Sequence, residues 1–128
     1  MYAVELDRSK RLLVISAAQK VTAEEAKMVA QRIRDLLRDI TPGFRVLADF
    51  RGLESMDSAA ARHIAEIMDA LAEKEVASVT RVMPDPRKDI GLNILSQFHY
   101  GANVKIETFE TLADALQNIA AKADSPSA

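Results

Sequence analysis

The sequence predicts an α/β fold: a single domain with a five-stranded, mixed but mostly parallel sheet and four helices. Three observations carry this. The chain opens with two strand patterns joined by a short polar turn, the signature of a hairpin. Amphipathic helical stretches then alternate with short apolar runs, the pattern of successive right-handed βα crossovers. The length, 128 residues, is close to that of one ordinary domain. The expected order is β-β-α-β-α-β-α-β-α, with residues 1–121 as the domain and 122–128 as a flexible C-terminal tail.

Each element has its own reason. Tyr2, Val4 and Leu6 fall on one face of a strand, and Glu5 and Asp7 on the other. Arg8-Ser9-Lys10 makes a polar turn. Arg11 to Ala17 reads as a second strand, and its nearly continuous run Leu12-Leu13-Val14-Ile15 predicts burial on both faces. Thr22-Ala23-Glu24-Glu25 has capping-box spacing. Behind it Ala26, Val29, Ala30, Ile33, Leu36, Leu37 and Ile40 repeat at helical period, and Pro42-Gly43 stops the helix.

Phe44 to Phe50 is a short buried strand, and Leu53-Glu54-Ser55-Met56 reads as a loop. Asp57 stands as the N-cap of a second helix, whose apolar stripe is Ala61, Ile64, Ile67, Met68 and Leu71. Ala77 to Met83 is a strand, and Pro84-Asp85-Pro86 a loop. Residues 88–100 read as a helix carrying Ile90, Ile94, Leu95 and Phe98 inward, with Gly101 as its C-cap. Val104 to Phe109 is the last strand. Thr111 to Ala123 is the last helix, with Leu112, Ala115, Leu116 and Ile119 inward.

Composition narrows the function. A formal net charge of −2 and six aromatic residues (4 Phe, 2 Tyr) argue against a nucleic-acid binder, which needs a basic surface or stacking rings. The absence of cysteine excludes disulfides, thiol catalysis and Cys-ligated metals. The N-terminus lacks a basic segment followed by an apolar one, so no signal peptide is expected. No apolar run reaches the ~18 residues of a membrane span. A cytoplasmic protein without membrane insertion is the expectation, and no cofactor or metal site is expected.

The stretch from Asp49 to Ala61 is the most informative. A strand ends in Asp49, and Asp57 then opens a helix whose first turn, Ser58-Ala59-Ala60-Ala61, carries no bulky side chain. Exposed N–H groups at such a start can meet an anion or let a partner's backbone approach closely. Asp49 and Asp57 oppose the anion. The plain alternative is an ordinary capped helix start built from good helix formers.

This stretch resembles the signature of the STAS domain, found in bacterial anti-sigma factor antagonists and in cytoplasmic domains of sulfate transporters. Asp49 matches the strand-end acid, Gly52 the loop glycine, and Met56-Asp57-Ser58 the start of the helix motif. The element order and the ending Phe109-Glu110-Thr111-Leu112-Ala113-Asp114-Ala115-Leu116 are also similar, so the likeness spans most of the chain. At the position that carries the phosphorylated hydroxyl in the antagonists, this chain has Ala59. Ala60 and Ala61 replace the family's glycine and leucine. The resemblance implies a signalling module, not an enzyme, that binds a protein partner such as an anti-sigma factor or a kinase-like regulator. It also implies that phosphorylation at the usual site does not switch it, leaving Ser58 as a weak phosphorylation candidate. Asp57, Ser58, Ala59, Ala60, Arg62 and Glu66 would meet the partner, supported by Asp49 and Gly52. A homodimer is left open.

Other chemistries find less support. Ser58, His63 and Asp57 could be written as a hydrolase triad, but Ser58 and His63, five apart on one helix, point roughly 140° apart, and no nucleophile elbow is present. A metal held by Asp49 and Asp57 lacks a supporting histidine. His63 reads as a partly exposed helix-flank residue, and His99 as a contact to a helix C-terminus. Arg62, Glu66, Asp69 and Glu73 form a charged stripe, a solvated face or a docking face. A small-molecule or lipid carrier with a pocket between a helix and the sheet is the second functional reading.

Overall fold

The computed structural model describes residues 1–85, 96, 99, 100 and 104–124. One five-stranded sheet runs in the order β1 (Tyr2–Asp7), β2 (Leu12–Val21), β3 (Arg45–Met56), β4 (Ser78–Val82), β5 (Lys105–Phe109). β1 and β2 pair antiparallel, and the three remaining pairs are parallel. The mixed, mostly parallel α/β fold is therefore as the sequence predicts. The helices are α1 (Ala23–Leu36), α2 (Ala61–Glu73) and α3 (Leu112–Asp124), and a 3₁₀ turn at Ser58–Ala60 precedes α2. Three α-helices are thus present among the described residues. The helix expected over 88–100 falls mostly outside them.

The sheet divides two apolar layers. α1 and α2 cover one face, where Val4, Leu13, Ile15, Ala17, Val46, Ala48 and Phe50 meet Val29, Ile33, Ile64, Ile67, Met68 and Leu71. α3 covers the other, packing Ala115 and Ile119 on Leu47 and Val82. Arg45 fastens that side by donating from Nη1 to the Ile119 carbonyl at 2.9 Å. Arg81 on β4 is fully buried, and its guanidinium donates to the Ser96 hydroxyl.

Four expectations need correction. β2 is not buried on both faces: Leu13, Ile15 and Ala17 are buried, whereas Leu12, Val14 and Ser16 are half-buried. α3 reaches only part of that second face. Leu53 to Met56 is not a loop but the far half of β3, because β2 continues to Val21 and supplies Gln19, Lys20 and Val21 as partners. α1 ends at Leu36, and the following turn tightens into Ile40 N–H to Leu37 O at 3.1 Å before Pro42. α3 runs to Asp124, so the first residues of the expected tail are helical. Residues 125–128 lie outside the described ones.

Candidate functional site

The site forms where β2 and β3 emerge from the sheet. β3 carries an extra residue relative to β2 twice, between the pairs Ser16–Asp49 and Ala18–Gly52 and again before Lys20–Ser55. Such bulges bend a strand and re-aim its side chains. Gly52 is what allows the first crossing, since a Cβ there would sit 3.0 Å from the Ala18 Cβ. It therefore acts as a close-approach residue within a strand, not as a loop glycine.

Asp49 is held by Arg51, two residues along the same strand. The Arg51 Nη2 lies 2.9 Å from Oδ2, Nε lies 3.0 Å from Oδ1, and the Arg51 backbone N–H donates to Oδ1 at 3.1 Å. The side-chain bond from Arg51 is the main cause holding the Asp49 carboxyl below its ordinary range; partial burial opposes it. The partner is an arginine of the same strand, not a group of the Asp57 turn.

Asp57 differs from expectation. Its N–H donates to the Val21 carbonyl at 2.9 Å, ending the β2–β3 pairing. Its side chain makes no capping bond; instead Lys20 Nζ sits 3.3 Å from Oδ1. The reason is geometric. The 3₁₀ turn Ser58–Ala60 intervenes, so α2 begins at Ala61, out of reach of an Asp57 cap. Within the turn Ala60 is buried, while Ser58 and Ala59 are exposed. Small side chains thus face solvent on a backbone that is anchored from below.

Arg62 and Glu66 are brought together by a residue read incorrectly from the sequence. His63 is 5% exposed, not a flank residue. It falls in the stripe Ala60, His63, Ile64, Ile67, Met68, Leu71, whose i, i+3, i+4, i+7 spacing was the available signal. Arg62 Nε donates to His63 Nε2 at 3.3 Å, so that nitrogen carries the lone pair. His63 Nδ1 then donates to Glu66 Oε2 at 3.4 Å. Arg34 on α1 approaches the same oxygen at 3.9 Å. These residues line a groove of about 580 Å³ between α1 and α2, with Glu24, Lys27, Met28 and Gln31 on its other wall. The α1 wall was missed, although Met28, an apolar residue off the buried stripe and 67% exposed, pointed to it.

Asp49 and Asp57 each have their own cation, and no cluster of three metal-ligating side chains occurs among the described residues. Ser58 and His63 form no hydrogen bond with each other; His63 is committed to Arg62 and Glu66. His99 Nδ1 lies 2.7 Å from Asp69 Oδ1, a contact that ties it to α2. The space between α2 and the sheet, lined by Tyr2, Ile15, Phe50, Met68, Arg81 and Tyr100 among others, is about 30 Å³. No helix of the described residues is long and apolar enough to cross a membrane.

No family model and no curated protein matches the chain. Solved structures do. A DUF3478-family protein with a SpoIIAA-like fold from Shewanella loihica is 21% identical with a TM-score of 0.71, covering 92% of this chain and 93% of its own. An anti-sigma factor antagonist from Mycobacterium paratuberculosis is 20% identical with a TM-score of 0.57, covering 94% and 95%. The Bacillus cell fate determinant SpoIIAA in its phosphorylated form is 16% identical with a TM-score of 0.60, covering 93% and 99%. The fold is that of SpoIIAA and the STAS domain.

Proposed function

We propose that this STAS-fold chain is a non-enzymatic regulatory module that binds a protein partner through the turn Asp57–Ala60 and the adjoining Arg62 and Glu66. The supporting observation is the turn itself. Ser58 and Ala59 are exposed on a backbone held at Val21 and seated on buried Ala60, with a charged pair beside it. Small side chains on a fixed backbone permit close approach, and flanking charges select a complementary partner. An anti-sigma factor or a kinase-like regulator is the partner class that the fold suggests.

Ala59 offers no hydroxyl, so binding at this turn is constitutive or controlled elsewhere than at that position. Ser58 is the one exposed hydroxyl in the turn and remains a secondary modification candidate. Nothing in the described structure favours the small-molecule reading at the expected place, because about 30 Å³ between α2 and the sheet holds roughly one water.

The test is a pull-down from the native host with wild type and an Asp57→Lys variant, read by mass spectrometry. Asp57 caps no helix and its exposed ion pair is worth at most about 1 kcal/mol, so the variant should fold, which circular dichroism checks. A protein retained by wild type and lost by Asp57→Lys supports the reading. Identical partner lists, or empty ones, overturn it.

A further inference from the structure

The core beneath α2 holds a polar cluster of three side chains from distant parts of the chain. Tyr2 on β1 pairs with Ala17, and Arg81 on β4 pairs with Ala48 of β3. Both alanines are buried on the sheet face that α1 and α2 cover. Beside such small side chains, the long ones of Tyr2 and Arg81 can lean toward each other over β2 and β3. Tyr100 joins them, its backbone N–H donating to the Ser96 carbonyl at 2.9 Å. All three line the cavity of about 30 Å³ between α2 and the sheet. Arg81 is 2% exposed and Tyr100 8%.

Their polar ends lie within one another's field. Burial is the main effect on Tyr100 and holds its phenol in the neutral form; the Arg81 charge favours the phenolate, and Tyr2 opposes it. Burial keeps the Tyr2 phenol neutral as well. At neutral pH both therefore carry an O–H to donate. Arg81 gives one hydrogen bond to the Ser96 hydroxyl. Neither phenol hydrogen-bonds to a described residue. A buried hydroxyl without a partner is costly, so the Tyr100 O–H, aimed into the cavity, points to an acceptor there. No carboxylate lines the cavity among the described residues, and its other walls are apolar, Phe50, Ile67 and Met68 among them.

We infer that this cavity binds a single monoatomic anion of the chloride class, held by the Arg81 guanidinium and the Tyr2 and Tyr100 hydroxyls. The guanidinium can only donate, and each phenol has one proton to give. A water can accept from two of these donors and still has protons of its own to place against apolar walls. An anion accepts from all three. Apolar walls also leave the guanidinium's field little screened, which adds to the preference for a negative charge. The volume, roughly that of one water, excludes carboxylates, phosphate and sulfate. The bound ion ties β1 to β4 beneath α2.

The test varies the anion at constant ionic strength. As sodium gluconate is replaced stepwise by sodium chloride, the melting temperature of the wild-type chain should rise with the logarithm of chloride concentration. The rise should be a few degrees per tenfold once the site is half-filled. Tyr100→Phe and Tyr2→Phe each keep the ring and remove one donor. Each should fold, by circular dichroism, and lose most of the chloride response. A crystal of the wild-type chain grown in sodium bromide should show an anomalous peak bounded by Arg81, Tyr2 and Tyr100. Equal melting in chloride and gluconate overturns the inference. So does a chloride response that both Phe variants keep, or bromide found only on the surface. If one Phe variant does not fold, the other variant and the bromide position decide the matter.

Discussion

Ala18 and Gly52 face each other across β2 and β3 so closely that a Cβ on Gly52 would stand 3.0 Å from the Ala18 Cβ and 3.4 Å from its Cα. The second contact is to backbone, so the strand itself must yield. Gly52→Val should therefore destabilise the protein by about 1–3 kcal/mol, the usual cost of overpacking. Gly52→Ala should cost less, because a stiffer unfolded chain offsets part of the strain. Ala18→Gly in the Gly52→Ala background should recover stability. Urea denaturation of wild type, Gly52→Ala, Ala18→Gly and the double variant, with Gly52→Val alongside, checks this, and additive losses in the cycle would refute the contact.

The Asp49–Arg51 pair makes a pH prediction. The folded Asp49 carboxyl lies below its ordinary range, chiefly through its bond from the Arg51 side chain. Its contribution is thus present above the unfolded carboxyl value of about 3.9 and lost as pH falls through the lower folded value. Asp49→Asn should lose at most about 1 kcal/mol at neutral pH, since Arg51 is half exposed and screened. The gap between wild type and variant should close below about pH 4. Thermal melts across that range would show it.

Tyr2 and Tyr100 predict the alkaline limit. They are the chain's 2 tyrosines, and burial pushes both phenols well above their ordinary value. A raised folded value means full stability below the unfolded phenol at about 10 and a loss as pH rises beyond it. The phenolate absorbance should therefore stay flat in the folded protein near pH 10 and then rise in a single step together with unfolding by circular dichroism. Ionisation of either tyrosine in a folded chain near pH 10 would contradict its burial.

Thr22 closes the start of α1. Its Oγ1 accepts from the Glu25 N–H at 3.1 Å and donates to the Glu25 carboxylate at 3.2 Å. Thr22→Ala should cost about 1 kcal/mol, or roughly 3–6 °C in melting temperature for a domain of this size. Thr22→Ser should retain most of the stability. Equal melting of Ala and Ser variants would deny the cap.

The sequence by itself determined the order of the five strands and of the three described helices, the α1 cap and the apolar stripes of α1 and α2. These depend on neighbours within a few residues: Thr22 needs Glu25, and Ile64 needs Ile67 and Leu71. On α3 it turned Leu116 inward, whereas that side chain is 46% exposed. It also marked Ser58 to Ala61 as a run of small residues, but as the first turn of a helix capped by Asp57, whereas Ser58–Ala60 is a separate 3₁₀ turn. The tertiary structure decided how those residues are used. Leu53 to Met56 looks like a loop until Gln19 to Val21 come alongside to pair with it. Asp57 looks like a cap until the intervening turn moves α2 away and Lys20 arrives from β2. His63 joins Arg62 to Glu66 only because α2 presses that side of the helix toward the sheet and α1. A periodicity registers which side of an element is apolar. It does not register which charge from another element will be within 4 Å, because that depends on crossings between segments far apart in the chain.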